Sequence, residues 1–422
     1  APQAGAEVQA TLYADGLKLA QPWPVELGPA HLQTRFPLAL AATPTVFSGE
    51  LELASLTIPQ GTARGLQLHG ELCWQPQAGR IQWQTATLSA TQVAALGATA
   101  RVPRLTLQSF APHQVHAELL AEVADAPLTA TGDFDWEQRQ GTYTFATALT
   151  NGLIAIGSQR TGRDLSRFLL LQGPARWEGR GQLDPGGKPA WVRGWLEAGR
   201  ALAYHVPVDR ATGWLELRGQ QFTADDARLR IADSEARGSY TMNFGTRDFR
   251  FLLAGQLQPM DINGWFHGWW GNFWPHFDFS AVVPRGDVDI AGRWGQVPLT
   301  QVFVGAEGER AAIRGVPFTF VRTQLFIRPE FIHALHFAVT REEGAATGWF
   351  SRRTEPGTHD WRAIDFAVQS SVDLGAAAQL YGPAATAYLA PFRFALAPQV
   401  QTSGHLDGPA APQGLRQQVR AE

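Results

Sequence analysis

The sequence predicts a mainly β protein: a long, repetitive antiparallel sheet with one apolar face and a few short helices. Three observations carry that expectation. Apolar residues alternate with polar ones along most of the chain, turn residues interrupt the alternation at short intervals, and the pattern recurs with a period near 110 residues.

Alternation at period two is the signature of half-buried strands. It runs through Leu66-x-Leu68-x-Gly70-x-Leu72-x-Trp74, Phe134-x-Trp136, Tyr143-x-Phe145, Leu215-x-Leu217, Tyr240-x-Met242, Phe249-x-Phe251, Phe277-x-Phe279, Phe318-x-Phe320 and Phe392-x-Phe394. The intervening residues are mostly Thr, Gln, Arg and Asp, so each strand has one wet and one apolar face, as antiparallel sheets allow. The segment from Ala190 to Leu196 is apolar on both faces and predicts local coverage. With 43 Gly and 27 Pro in 422 residues, turns such as Asp184-Pro185-Gly186-Gly187 separate the strands. Helices are expected over 261–274, over 374–389 and at Thr91 to Leu96.

Two independent marks give the repeat. An alternating strand leads to a Pro and then a Gly at Pro44/Gly49, Pro174/Gly181, Pro284/Gly292 and Pro398/Gly404; a Gly followed by alternating aromatics occurs at Gly132, Gly238 and Gly348. Phe251 to Phe366, Phe277 to Phe392 and Phe279 to Phe394 are each offset by 115 residues. A module of several strands and one short helix describes the chain economically. The expected divisions are an N-terminal groove segment, 1–124, repeated groove modules, 125–408, and a polar tail or truncated connection, 409–422.

At Ala236 to Met242, at Phe249 to Gly255 with Pro259 to Ile262, and from Ser371-Val-Asp-Leu through Tyr381-Gly-Pro to Gly404-His-Leu-Asp-Gly, the sequence resembles the AsmA-like family of Gram-negative envelope proteins, TamB-type proteins included. The resemblance covers roughly 125–408 and reaches the first hundred residues only in general character. It implies that the sheet is curved, taco-like, around an open apolar β-groove whose inner face conducts lipid acyl chains between inner and outer membranes, in the periplasm. The family's N-terminal transmembrane helix is not found here; no apolar run approaches the roughly 18 residues of a membrane span. Because the chain opens on Ala1 with no signal pattern, a piece cut from a longer protein is expected, with an inner-membrane anchor outside it.

Composition removes several functions. Charged residues are 17% and the net charge is −3, which gives no reason to expect nucleic acid. One cysteine, Cys73, excludes an internal disulfide framework and multi-cysteine metal sites. The sequence contains no Gly-x-Ser-x-Gly elbow, His-Glu-x-x-His, Walker loop, EF-hand loop or dinucleotide fingerprint. Asp133-x-Asp135-x-Glu137 has oxygen ligands suited to Ca²⁺, but reads better as the wet face beside Phe134 and Trp136; Asp287-x-Asp289 reads the same way. His267 and His276 lack a third ligand, and Cys73 reads as a structural thiol.

The expectation is therefore a non-catalytic lipid-binding segment with no cofactor other than bound phospholipid. Its groove residues are Phe134, Trp136, Tyr143, Phe145, Leu215, Leu217, Tyr240, Met242, Phe249, Phe251, Phe277, Phe279, Phe318, Phe320, Phe392 and Phe394. The aromatic run Trp265, Phe266, Trp269, Trp270, Phe273 and Trp274, partly at i,i+4 spacing, reads as a helical plug or as a lid over the groove. Partners are lipids, membranes reached through parts outside this chain, and other envelope proteins. The alternative is a structural or adhesive β-solenoid, or an envelope-assembly scaffold, with a self-filled core. An outer-membrane barrel is disfavoured by uneven strand spacing.

Overall fold

In the computed structural model, residues 7–19, 25–37, 44–59, 61–77, 80–95, 97–111, 113–162, 164–185, 189–265, 271, 274–355, 361–391, 397–408 and 415–421 are described. Long strands dominate. In the first half they are β1 (Glu7–Ala14), β2 (Ala30–Pro37), β3 (Thr45–Ile58), β4 (Gly61–Gln75), β5 (Arg80–Ser89), β6 (Ala98–Ala111), β7 (Gln114–Val123), β8 (Ala126–Asp135), β9 (Gln140–Ala148), β10 (Ala175–Leu183) and β11 (Pro189–Ala198). Each pairs antiparallel with the next.

The second run is β12 (Gln221–Ile231), β13 (Ser234–Asn243), β14 (Asp248–Gln256), β15 (Arg285–Arg293), β16 (Gln296–Ile313), β17 (Val316–Arg328), β18 (Phe331–Thr340), β19 (Ala345–Thr354), β20 (Trp361–Ser370), β21 (Val400–Asp407) and β22 (Leu415–Ala421). It follows the same next-neighbour antiparallel order. The mainly β, long antiparallel architecture expected from the alternation is therefore what the chain forms.

The repeat has a structural meaning. Six long strands, β4 to β9 and again β15 to β20, are each followed by a helical insert, after which the chain returns to pair with the strand it left. The first insert is α1 (Asn151–Thr161), capped by Thr150, whose hydroxyl accepts the Leu153 N–H, and closed by Gly162 at φ 65°. The sequence reading missed it. The third is a pair, α2 (Leu374–Tyr381) and α3 (Pro383–Leu389); Asp373 caps α2, and Gly382 at φ 108° followed by Pro383 breaks the expected single helix over 374–389 in two. The insert after β14 has 3₁₀ turns at Asn263–Trp265 and Trp274–His276.

Three further expectations are corrected or bounded. The helix expected at Thr91 to Leu96 is instead a strand, Gln92–Ala95, whose backbone bridges the ends of β4 and β6. The division at 124/125 falls inside the tight hairpin joining β7 to β8, two strands paired over their full length. The chain divides elsewhere, into one unit of residues 1–201 with 216–219 and a second of 202–215 with 220–422. Within the tail expected at 409–422, residues Leu415–Ala421 form a strand hydrogen-bonded to β21, because an exposed sheet edge offers unpaired amides to any segment that can reach it.

Candidate functional site

Register converts the alternation of the first unit into a continuous surface. Leu12, Leu32, Leu51, Leu68, Leu88, Leu105 and Leu119 are direct cross-strand partners, one after another from β1 to β7. The row continues through Ala130, Phe145, Gly179 and Gly194 to β11. Beside it, two residues along each strand, runs a row that is mostly small, with Gly49, Gly70, Ala86, Ala117 and Gly132, interrupted by Leu107 between Ala86 and Ala117. Phe47, Leu72 and Trp83 stand on the far side of that row. The first unit thus carries a furrow crossing its strands, with leucines on one bank and bulkier side chains on the other.

This face is not sealed. Leu12 is 64% exposed, Leu68 36% and Leu72 37%, and the other leucines of the row are half-buried. At about 25 cal/mol per Å² each half-exposed leucine forgoes on the order of 1 kcal/mol of burial, and here the deficit is repeated strand after strand. The opposite face is polar and self-paired: Thr131 and Thr144 hydroxyls meet at 2.8 Å, His116 Nδ1 lies 2.8 Å from Asp133, and Thr85 donates to Glu71 at 3.1 Å.

The aromatic groove residues expected in this unit lie on the apolar face. Phe134, Tyr143 and Phe145 share it, and Phe134 and Tyr143 lie over their direct partners Gly141 and Gly181. Burial pushes the Tyr143 phenol pKa up. Trp136 sits past the end of β8, where its ring meets Trp83 at 5.8 Å and His113 at 6.0 Å. Leu215 and Leu217 lie in the strand Arg210–Arg218, the first half-buried and the second exposed.

The second unit treats its apolar face differently. Tyr240, Phe251, Ile290, Val302, Ile327, Ile332, Arg352, Ile364 and Leu406 form a comparable row from β13 to β21. The next row includes Leu253, Val304, Leu325 and Ala334, each at most 5% exposed. Met242 is buried, Phe249 lies over Gly292, and Tyr240 accepts a hydrogen bond from Trp294 at 3.0 Å.

Phe277, Phe279 and Phe318 are not groove lining. They belong to a closed core with Val206, Ile262, Trp274 and Val316, against which Ala376 and Leu380 of α2 pack. Phe320 departs from Phe318: the strand kinks where Arg310 of the paired β16 has φ 49°, so the buried series passes from Phe318 to Val321 and leaves Phe320 half-buried. Trp265 and Trp274 pack inward against the fold. Trp274 is 5% exposed, while Trp265 donates its indole N–H to the Ala203 carbonyl at 2.7 Å and meets Phe251 edge-on at 5.8 Å. Phe266, Trp269, Trp270, Phe273, Phe392, Phe394 and His267 lie outside the described residues.

The candidate metal positions are otherwise engaged. Asp135 accepts the amides of Gln138 and Glu137, which hold its carboxyl below the usual range; Asp133 pairs with His116, and Asp289 with Arg250 through two hydrogen bonds of 3.0 and 2.7 Å. Among the described residues no group of three metal-type side chains converges. Cys73 is buried, its thiol donating to the Trp74 carbonyl at 3.6 Å.

One polar cluster escaped the sequence reading. On the polar face of the second unit, His405 Nδ1 lies 2.6 Å from Asp365 and its Nε2 3.0 Å from Asp407, with the Ser351 hydroxyl 3.5 Å from Asp365. The Asp365 carboxylate, then Asp407, raise the His405 imidazolium above the ordinary histidine range. These residues come from three strands, and only the i,i+2 pair His405 and Asp407 was visible in sequence.

No protein-family model matches the chain, and no curated protein matches it either.

Proposed function

We propose that the open apolar face of the first unit holds lipid acyl chains, and that the chain is a non-catalytic, AsmA-like lipid-conducting segment of a Gram-negative envelope protein working in the periplasm. The observation that carries this reading is the register of Leu12, Leu32, Leu51, Leu68, Leu88, Leu105 and Leu119, a half-exposed apolar row continuous across seven strands. A contiguous apolar surface in water is costly unless something covers it. A polymethylene chain needs no directional partner and fits a surface of leucines and aromatic rings beside a row of mostly small residues. The resemblance at Ala236 to Met242, at Phe249 to Ile262 and from Ser371 to Gly408 supports the same reading. Phospholipid is the expected guest, and membranes and envelope proteins the expected partners.

A second reading, a scaffold with a self-filled core, draws on the second unit, where Leu253, Val304 and Leu325 are already buried by the protein itself. Chloroform–methanol extraction of the purified, folded chain followed by mass spectrometry separates the two. Phospholipid recovered at stoichiometric levels supports the lipid reading; a lipid-free, detergent-free folded preparation supports the scaffold.

A further inference from the structure

Where β17 turns into β18, the second unit has a cavity of about 560 Å³ at the strand ends, lined by Arg328, Glu330, Phe331, Arg353 and Arg362 among others. Three guanidinium groups face one carboxylate in that lining. The arrangement follows from register. Arg328 is the direct partner of Phe331, and Phe331 of Arg353, so two arginines from the neighbouring strands flank one aromatic ring.

The charges are under-compensated. Arg328 lies over the Phe326 ring, 5.4 Å from its centroid, and Arg353 has neither an ion pair nor a hydrogen bond among the described residues. Only Arg362 is paired, with Glu355 at 3.5 Å. Elsewhere on this face some exposed arginines meet carboxylates, as Arg250 meets Asp289 and Arg293 meets Asp248, whereas here two lie together in one concavity without a paired carboxylate. Like charges gathered in a concavity focus a positive potential, and the guanidinium fork matches phosphate oxygens two at a time.

We propose that this cavity binds a phosphate ester, held between Arg328 and Arg353 with the organic part of the ester against Phe331. The proposal concerns a site apart from the leucine row and does not depend on that row's function. The same chemistry is offered by a lipid headgroup and by a soluble phosphate ester, and two assays on the full chain distinguish them. One is calorimetric titration with glycerol 3-phosphate; the other is flotation with phosphatidylcholine vesicles with and without phosphatidylglycerol.

Saturable binding in either assay is expected, weakened about tenfold or more in Arg353→Gln and in Arg328→Gln. Arg353→Lys keeps the charge without the fork and falls between. Arg104→Gln, on the polar face of the first unit, leaves binding unchanged and controls for general charge attraction. Titration alone assigns a soluble ester, and recruitment to phosphatidylglycerol vesicles assigns a headgroup. Absence of binding in both assays, or binding that survives Arg353→Gln and Arg328→Gln with unaltered melting, overturns the proposal.

Discussion

Gly181 stands directly opposite Tyr143 on the neighbouring strand, and the phenol ring lies across the space a Cβ would fill. The relationship recurs after each helical insert, with Gly292 opposite Phe249 and Gly404 opposite Phe366. The Pro-to-Gly spacing in the sequence is therefore the trace of one packing device. An aromatic residue on the strand leaving for the insert meets a glycine on the strand that returns, which lets the two backbones approach closely and pins the register of the closure.

Gly181→Ala is expected to destabilise the protein by about 1–3 kcal/mol, because the new methyl overpacks against the Tyr143 ring and the Trp191 carbonyl. In a Tyr143→Ala background the same change costs less. Urea denaturation of the four proteins of the cycle measures the coupling; additive effects would show that ring and glycine do not communicate.

Trp265→Phe removes the indole N–H that donates to Ala203 while keeping a ring to set against Phe251. The expected loss is about 1 kcal/mol, the usual net worth of one hydrogen bond, increased if the Ala203 carbonyl is left dry. Chemical denaturation reads it directly. An unchanged midpoint would mean that Trp265 is held by ring packing alone.

His405 makes stability depend on pH. Its folded-state pKa is raised by Asp365 first and Asp407 second. The contribution is therefore fully present below the unfolded histidine value, about 6.5, and is lost as pH rises through the elevated folded value. Comparing melting temperatures of the native protein and His405→Gln should show a larger gap at pH 5.5 than at pH 9. A gap that is flat or widens with pH would contradict this assignment of charge.

The strand alternation, the turns and the repeat were legible because each is local. Leu66 to Trp74 needs only period two, and Gly181, Gly292 and Gly404 recur at a countable distance. The leucine row was not legible. Leu12 and Leu119 share it only because the intervening hairpins and bulges keep the residues in step, and a slip of one residue in any hairpin would move a leucine to the wet face. The sequence therefore favoured conspicuous aromatics over leucines. Some of these, Phe279 and Phe318 among them, are closed core, since nothing in a Phe-x-Phe pair says whether an insert will fold back over it. The cluster of Ser351, Asp365 and His405 was invisible for the same reason: three strands assemble it.

The two units make opposite predictions for one substitution. Leu88 lies in the half-exposed row of the first unit, Leu325 in the buried row of the second. Glutamate at 88 can keep its carboxylate hydrated when the furrow is empty, but any acyl chain crossing the strand there must cover the charge, at a cost of several kcal/mol. Leu88→Glu should therefore lose retained phospholipid while its melting temperature falls little. Leu325→Glu buries an unpaired carboxylate within a closed cluster, and should destabilise by about 3 kcal/mol or more whether lipid is present or not. Lipid content by mass spectrometry and melting by circular dichroism are measured on both. If Leu88→Glu unfolds as readily as Leu325→Glu and shows no separate loss of lipid, the leucine row is ordinary core, and the first unit conducts nothing.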